Sequence, residues 1–349
     1  MKKLFVSVSL MLLTLQFSWG CTAFCVCFLN RAILAKNLDW PVDSGFILVN
    51  HSGITKTSFS TTGQSFSWSS RYSSITFNQF GKEFPLGGMN ERGLVVEELN
   101  MPPVQAVPDL SKQVLNEFQL VQYLLDNYSS AREVEEALAH LQTVPLLLSL
   151  HYLVMDREGV ALILEFNGSR FSVYSPGESG IPVLSNNLYE ESLGYLAKFQ
   201  GFGGNQELLN RPGSNERFVS VASMLKTMEA GEPVKHSFEI LDAVAQPDTR
   251  WSIVYDATRL RIHVKFHACP NKQEISLPEL LQSVGKFSLG AKVSDCNLGD
   301  IGSFRPFSKK HNSELVFGVM DLLGKELDLS SREALFKDLI HYSNTYVFE

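Results

Sequence analysis

The chain has 349 residues, of which 44% are hydrophobic and 19% are charged, a balance typical of a folded protein and not of a disordered chain. Thirty basic and thirty-seven acidic residues give a formal charge of −7 without a basic cluster, which argues against nucleic acid as a partner. No Gly-, Ser- or Pro-rich linker divides the sequence. We therefore expect a single domain over residues 21–349, after a leader of residues 1–20.

The leader has the pattern of a signal peptide. Two lysines precede an apolar run over residues 4–15, which is too short to span a bilayer. Ser18 and Gly20 fit the −3 and −1 positions of a signal-peptidase site, so we expect cleavage before Cys21 and an exported protein, periplasmic or secreted, with no stable membrane span. Bacterial lipoproteins also begin with a cysteine directly after the leader, and an acylated lipoprotein is the alternative, although Ser18 stands where an aliphatic residue is usual.

Strand patterns dominate the first third of the mature chain. Residues 21–38 predict two short strands in a hairpin that turns at Asn30-Arg31. A second pair of strands is predicted at residues 73–80 and 94–99, with Gly87-Gly88-Met89-Asn90 as the turn between them. A proline pair then ends this region, because proline cannot donate to a strand ladder.

Helical spacing follows. Apolar residues at positions 114, 118, 121 and 125 predict one helix, and those at 134, 138 and 141 predict a second. Ser130 and Glu133 have the spacing of a capping box at the start of the second helix.

Strand patterns return in the second half of the chain. They cover residues 152–155 and 160–166, and Asn167-Gly168 predicts a tight turn into residues 171–174. Apolar spacing over residues 218–228 predicts a further helix, and a hairpin is expected between residues 251–255 and 260–266. This order predicts an α+β fold of antiparallel sheets covered by helices, rather than a doubly wound sheet.

The motifs of the common enzyme classes do not occur in this sequence. It has no nucleophile elbow, no phosphate-binding loop and no zinc-protease helix, and its eight histidines have no paired spacing. The cysteines at positions 21, 25 and 27 have no second ligand cluster nearby, which argues against a zinc site. We expect neither a metal nor an organic cofactor.

The expected new terminus carries chemistry of its own. If cleavage leaves Cys21 first, its thiol and a free α-amine belong to the same residue. An α-amine has a pKa of about 7.7–8.0 and can accept the thiol proton near neutral pH. One residue would then supply both nucleophile and general base.

Five segments, in this order, resemble the choloylglycine hydrolase and penicillin V acylase family: Cys21-Thr22, Lys36-Asn37-Leu38-Asp39-Trp40, Gly88-Met89-Asn90-Glu91-Arg92-Gly93-Leu94, Val183-Leu184-Ser185-Asn186 and Asn215-Glu216-Arg217-Phe218-Val219. The resemblance implies an N-terminal-nucleophile hydrolase of linear amide bonds, with a four-layer αββα sandwich of antiparallel sheets. The implied partner is a small N-acyl amide of the bile-salt-conjugate, penicillin V or acyl-homoserine-lactone type. Acyl transfer to an amine and a homo-oligomeric state are left open.

The resemblance also implies roles for single residues. Cys21 would be the nucleophile with its own amine as base, and Asp39 would orient both groups. The backbone N–H of Asn90 and the side-chain amide of Asn186 would form the oxyanion hole, and Arg217 would add positive potential near the thiolate. Taken singly, each has a plainer alternative; for Asn90 it is a place in a tight turn.

Lys36 is a further site residue, and it stands where the family usually has arginine. An ammonium keeps the charge but cannot make the planar two-pronged contact of a guanidinium. Efficiency and substrate preference are therefore left open, and we expect specificity to depend on apolar loops, with Phe46, Phe59, Trp68 and residues 146–150 as candidates.

Four more cysteines accompany Cys21. In a strand, Cys25 and Cys27 share the face of Cys21, so we expect them to be small residues lining the site, with disulfide formation as the alternative. Cys269 and Cys296 could pair with each other, which spacing alone does not decide.

Overall fold

The computed structural model describes residues 20–28, 30–60, 63, 65–109, 111–177, 180–208, 213–228, 231–283, 287–326 and 333–348. The expected leader lies outside the described residues, except for Gly20.

Nineteen strands occur in the described chain: β1 (Thr22–Phe28), β2 (Arg31–Asp39), β3 (Phe46–Asn50), β4 (Thr55–Thr57), β5 (Ser67–Ser69), β6 (Ser74–Asn78), β7 (Pro85–Asn90), β8 (Val95–Asn100), β9 (Gln113–Leu115), β10 (Leu141–Thr143), β11 (Leu150–Met155), β12 (Ala161–Phe166), β13 (Phe171–Tyr174), β14 (Val183–Leu184), β15 (Thr249–Asp256), β16 (Arg261–Phe266), β17 (Cys269–Ser276), β18 (Leu289–Lys292) and β19 (Arg305–Pro306).

The helices of the described chain are α1 (Glu117–Asn127), α2 (Ala131–Ala137), α3 (Tyr189–Leu196), α4 (Ser214–Lys226), α5 (Pro233–Ala243), α6 (Leu277–Ser283), α7 (Lys309–Glu326) and α8 (Glu333–Asn344). Two 3₁₀ turns accompany them, at Leu138–His140 and Ile301–Ser303.

The strands form two large antiparallel sheets. The first has the order β14-β1-β2-β15-β16-β17, and the second has the order β13-β12-β11-β8-β7-β6-β3-β18-β19. The pairs β4–β5 and β9–β10 form small separate ladders, and the β9–β10 ladder is parallel.

The two sheets pack face to face between helical layers. Phe77 of the second sheet contacts Trp251 and Tyr255 of the first sheet through ring contacts. Helices α4 and α5 cover the outer face of the first sheet, and α1 and α2 cover the second. This is the expected α+β arrangement, a four-layer αββα sandwich.

Local sequence signals explain several of these elements. Asn116 caps α1 by accepting hydrogen bonds from the backbone N–H groups of Phe118 and Gln119. Ser130 caps α2 as expected, by accepting from the N–H of Glu133, whereas the Glu133 carboxylate accepts from Ser129 rather than from Ser130. Strands β15 and β16 pair antiparallel and form the predicted hairpin.

Two sequence predictions in this region are wrong. Residues 87–90 lie in β7 and form no turn. Position 87 requires glycine for lack of space and not for a turn, because a Cβ there would lie 2.2 Å from the Glu97 carboxyl group. The turn follows instead at Gly93, whose φ is +84°. Val114 and Leu141, assigned to helices, lie in the parallel ladder of β9 and β10.

Cys269 and Cys296 form a disulfide bond. It closes a segment with a sequence separation of 27 residues and ties the start of β17 to the loop after β18. The pairing that spacing left open is therefore made.

Candidate active site

Cys21 lies immediately before β1, at the end of the strand that faces β2. The register of the two strands pairs Thr22 with Asn37, which brings Cys21 beside the carboxyl end of β2. Its side chain is 3% exposed, and its Sγ lies 4.0 Å from the backbone oxygen of Asp39. Burial raises the pKa of the thiol to about 12, although the nearby Lys36 ammonium opposes the rise. The thiol is therefore protonated at neutral pH, and a nucleophilic role requires a base close by.

Asp39 ends β2 and is fully buried beside this cysteine. Its Oδ1 accepts a hydrogen bond from the Thr249 hydroxyl, whereas its Oδ2 has no hydrogen-bond partner in the described chain. Burial raises the pKa of this carboxyl to about 7, while the hydrogen bond from Thr249 and the charge of Arg217 hold it lower than burial alone would. An acceptor buried without a donor is costly, so Oδ2 fits a role of binding an incoming N–H group.

Arg217 joins three parts of the site from α4. Its Nε donates to the hydroxyl of Thr22 over 2.9 Å, and its Nη2 donates to Oδ1 of Asn186 over 2.9 Å and to the backbone oxygen of Cys21 over 3.4 Å. The guanidinium is thereby fixed beside the nucleophile. Burial lowers the pKa of Arg217, and the Asp39 carboxylate opposes that shift.

Asn186 lies just after β14 and is held at both ends of its side-chain amide. Its Oδ1 accepts from Arg217, and its Nδ2 donates to the backbone oxygen of Asn100 over 2.9 Å. Its backbone N–H donates to the Ser214 hydroxyl, at the start of the helix that carries Arg217. The orientation of this amide is therefore set by contacts from two layers.

Lys36 points from the first sheet into the interface between the sheets. Its Nζ lies 2.8 Å from Oε2 of Glu97 and 3.6 Å from Oε1 of Glu98, and all three side chains are buried. The hydroxyl of Tyr255 also donates to Glu97. Burial lowers the pKa of Lys36, but the two carboxylates outweigh it and hold the pKa above its usual range, so the lysine is charged.

Gly20 is buried against the same guanidinium. A Cβ at this position would lie 2.8 Å from both Nη1 and Nη2 of Arg217, closer than Cβ contacts normally are. While residue 20 remains attached to Cys21, glycine is the residue that fits here without displacing Arg217.

The thiol opens into a narrow cleft of about 10 Å³, with room for about one water molecule. Its polar members are Cys21, Glu98 and Asn100, and its apolar members are Leu38, Trp40, Phe80, Leu86 and Leu148. Phe80 and Leu148 lie in connections between strands, and a substrate enters only if such apolar side chains move. The Glu117 carboxylate fixes the second connection by accepting hydrogen bonds from the N–H groups of residues 146–148.

The family model for linear amide C–N hydrolases of the choloylglycine hydrolase family matches residues 21–249 of this chain. The chain belongs to that family. The match begins at the cysteine that the geometry places beside Asp39, Lys36 and Arg217.

Individual relatives agree with this assignment. Penicillin V acylase of Pectobacterium atrosepticum is 24% identical over 331 residues, which cover 78% of this chain and 86% of that protein. Among solved structures, penicillin V acylase from Agrobacterium tumefaciens matches with a TM-score of 0.71 at 21% identity, covering 82% of this chain and 98% of that one. A variant of conjugated bile acid hydrolase from Clostridium perfringens matches with a TM-score of 0.63 at 17% identity, covering 74% of this chain and 93% of that one. The two structures support the N-terminal-nucleophile hydrolase fold.

This member of the family brings together five of the six residues expected from its sequence: Cys21, Lys36, Asp39, Asn186 and Arg217. In the described part of the chain, no helix has the length and apolar character needed to cross a membrane. Nor do the described residues contain a group of three or more His, Cys, Asp or Glu side chains arranged to hold a metal ion.

Asn90 is the sixth, and its contacts do not fit an oxyanion donor. Its backbone N–H already donates to the backbone oxygen of Leu94 over 3.0 Å, and its Nδ2 donates to the backbone oxygens of Leu125 and Tyr128. Its Oδ1 accepts from the N–H groups of Arg92 and Leu94. Asn90 therefore holds the turn after β7 and anchors it to α1, which matches the plainer alternative.

Two residues of the cleft, Glu98 and Asn100, are not among the site residues predicted from the sequence. Asn100 is the last residue of β8, separated from the proline pair by Met101, and its backbone oxygen accepts a hydrogen bond from Asn186. Glu98 lies in the same strand. The available signal was a run of polar residues, Glu97, Glu98 and Asn100, in a segment that otherwise reads as a buried strand.

The other expected lining residues lie elsewhere. Cys25 and Cys27 line cavities of about 450 and 520 Å³ towards the opposite end of β1, and not the cleft at Cys21. Phe46 packs on Phe307, and Trp68 packs on Tyr123. Of the suggested loop positions, only the segment 146–150 contributes to the described cleft, through Leu148.

Proposed function

We propose that the chain is an exported amidase whose mature form begins at Cys21 and hydrolyses the linear amide bond of a small N-acyl substrate. The observation that carries the proposal is the Cys21 thiol in an apolar cleft, beside a buried Asp39 oxygen that lacks a hydrogen-bond donor. The names of the relatives make penicillin V and conjugated bile acids candidate substrates, and acyl-homoserine lactones are a third.

A free α-amine on Cys21 would complete this arrangement. The thiol proton would pass to the amine, and the thiolate would attack the amide carbonyl to give a tetrahedral oxyanion. The resulting ammonium would be stabilised by Asp39 and would return its proton to the leaving amine as the C–N bond breaks. Water, activated by the same amine, would then hydrolyse the thioester and regenerate the thiol.

Two side-chain amides are suited to stabilise the oxyanion. The amide of Asn186 has two N–H donors, of which one is directed at Asn100, and its orientation is fixed by Arg217. Asn100 lines the cleft next to the thiol. We assign the oxyanion site to these two amides in place of the backbone of Asn90, because Asn100 lies beside the thiol and the Asn186 amide is already held in place, so that it needs no reorganisation during the reaction.

Export is supported by two independent features. The leader has the composition and small-residue exit of a signal peptide. The disulfide between Cys269 and Cys296 is of a kind that persists in oxidising compartments outside the cytosol.

The mass of the exported protein tests the proposed terminus. We expect a chain that starts at Cys21 with an unmodified amine. A lipid adduct on Cys21 would instead identify the lipoprotein alternative, and a start at another residue would remove the base.

Activity against a panel of N-acyl amides tests the reaction. We expect hydrolysis by the mature chain, and none by Cys21→Ala or by a chain that retains Gly20, because an amide nitrogen accepts no proton at neutral pH. Both inactive forms should melt near the wild type. Hydrolysis by the form that retains Gly20 would contradict the proposed base, and acyl transfer to added amines without acid release would identify a transferase.

A further inference from the structure

The cleft beside the nucleophile combines an apolar wall with one ionisable group that the proposed mechanism does not use. Five apolar side chains form most of its surface, and the Glu98 carboxyl lines it together with Cys21 and Asn100. Acidic groups are rarely buried unless they are paired, so a second carboxyl at this place calls for an explanation.

The charges around Lys36 do not balance. One ammonium serves two carboxylates, at 2.8 Å from Glu97 and at 3.6 Å from Glu98. When both carboxylates are ionised, this group of three carries a net charge of −1. The buried Glu117 on the neighbouring helix adds further negative potential at Glu98.

The excess charge falls on the side of the cleft. Glu97 has the shorter ion pair and also accepts from the Tyr255 hydroxyl, so its charge is met by two partners. Glu98 has the longer ion pair and is the carboxyl that lines the cleft. A ligand in the cleft therefore meets an acceptor that the protein satisfies incompletely.

We propose that Glu98 determines substrate specificity by binding a cationic or hydrogen-bond-donating group next to the scissile amide and by disfavouring anionic conjugates. This inference rests on the proposed amidase function and narrows it. Within a closed apolar cleft, an unpaired like charge costs far more than it does in water, whereas an opposite charge or a donor supplies the missing partner. Of the candidate substrates, neutral amides such as acyl-homoserine lactones fit this rule better than conjugates with a carboxylate or sulfonate close to the amide.

Glu98 is ionised under mildly alkaline conditions. Burial raises its pKa to about 7, the Lys36 ammonium opposes that rise, and Glu97 and Glu117 add to it. Measurements at about pH 8.5 therefore compare substrates against the carboxylate form.

Three matched amides provide the test. They carry the acyl group that the mature protein hydrolyses best, joined to ethylenediamine, ethanolamine or glycine, which give a cationic, a neutral and an anionic leaving group of similar size. We expect kcat/KM for the cationic amide to exceed that for the anionic amide by about tenfold or more, with the ethanolamide between them. A wild-type ratio near one, or a preference for the glycine conjugate, would overturn the inference without reference to any variant.

Glu98→Gln removes the charge and keeps the shape. In this variant we expect the ratio of kcat/KM for the cationic amide to kcat/KM for the anionic amide to fall towards one, while the ethanolamide is still hydrolysed. Glu165→Gln is the matched control, since it makes the same change on a buried carboxyl that neither lines the cleft nor contacts Lys36, and the ratio should stay at the wild-type value. An unchanged ratio in Glu98→Gln, or an equal loss of ratio in Glu165→Gln, would also overturn the inference.

Hydrolysis of the ethanolamide distinguishes a failure of the proposed amidase function from a failure of the inference about Glu98. If it is hydrolysed by the wild type and not by Cys21→Ala, the amidase function stands and the ratio alone decides on Glu98. If the wild type hydrolyses no amide of the panel, the proposed function fails and the inference about Glu98 fails with it.

Discussion

Replacing Lys36 by methionine is the change for which the structure gives the clearest magnitude. The substitution keeps a long apolar side chain but leaves Glu97 and Glu98 without their ammonium, 2.8 and 3.6 Å away in the wild type. Removing one partner from a buried ion pair typically costs about 3–5 kcal/mol, because the remaining charge has neither water nor a counterion. We expect Tm to fall by about 5–10 °C near pH 8.

The loss should depend on pH in a defined direction. Burial raises the pKa values of Glu97 and Glu98, the latter to about 7 even with Lys36 present. Without the lysine, both carboxyls hold their protons still more strongly, so the unpaired negative charge diminishes as the pH falls. The difference in Tm between wild type and Lys36→Met should therefore shrink as the pH falls.

The same substitution should change catalysis. A cation near Cys21 favours the thiolate and disfavours a protonated amine, so its removal should lower the rate and move the acidic limb of the pH–rate profile upward. Lys36→Arg should retain much of the activity and stability, and Lys310→Met, at an exposed position, should change neither. Melting curves and pH–rate profiles that coincide for Lys36→Met and wild type would refute this account of Lys36.

Three further predictions concern single side chains. Asn186→Ala should lose about 10² to 10³ in kcat, as is typical for one oxyanion donor, whereas Asn187→Ala should keep it; equal kcat values would remove Asn186 from the mechanism. Cys269→Ser opens the loop closed by the disulfide to Cys296 and should lower the free energy of unfolding by about 3–4 kcal/mol in denaturant titrations; an unchanged free energy of unfolding would contradict this role of the bond. Cys27→Ser should leave kcat/KM unchanged, since this thiol lines a different cavity, and a large loss of activity would contradict that placement.

The sequence predicts those parts of the fold that depend on local patterns. The hairpin of β15 and β16 and the cap of α2 are visible because alternation and capping involve neighbours along the chain. The glycines at 87 and 88 suggest a turn, but glycine is required there by close contacts from other strands. A Cβ at position 87 would collide with the Glu97 carboxyl group, and a Cβ at position 88 would lie 2.5 Å from the backbone oxygen of Ile75.

The site divides in the same way. The order of the motifs predicts that Cys21, Asp39 and Arg217 belong to one site, and the structure brings these residues together. The partners of Lys36 and the place of Asn100 could not be read from the sequence, because they depend on which strand of one sheet faces which strand of the other. Asn90 was misplaced for a related reason, since its motif reports a conformation of the turn and not a position at the thiol.

Under the proposed cleavage before Cys21, the identity of residue 20 affects maturation. Signal peptidases accept alanine as well as glycine before the cut, but in the folded chain a methyl group there would press on both Nη atoms of Arg217. A leader ending in alanine would therefore leave the yield of active protein unchanged if cleavage precedes folding. If folding comes first, it would displace Arg217 and slow maturation. If the protein is exported as proposed, the yield of active protein from these two leaders would report whether cleavage or folding comes first.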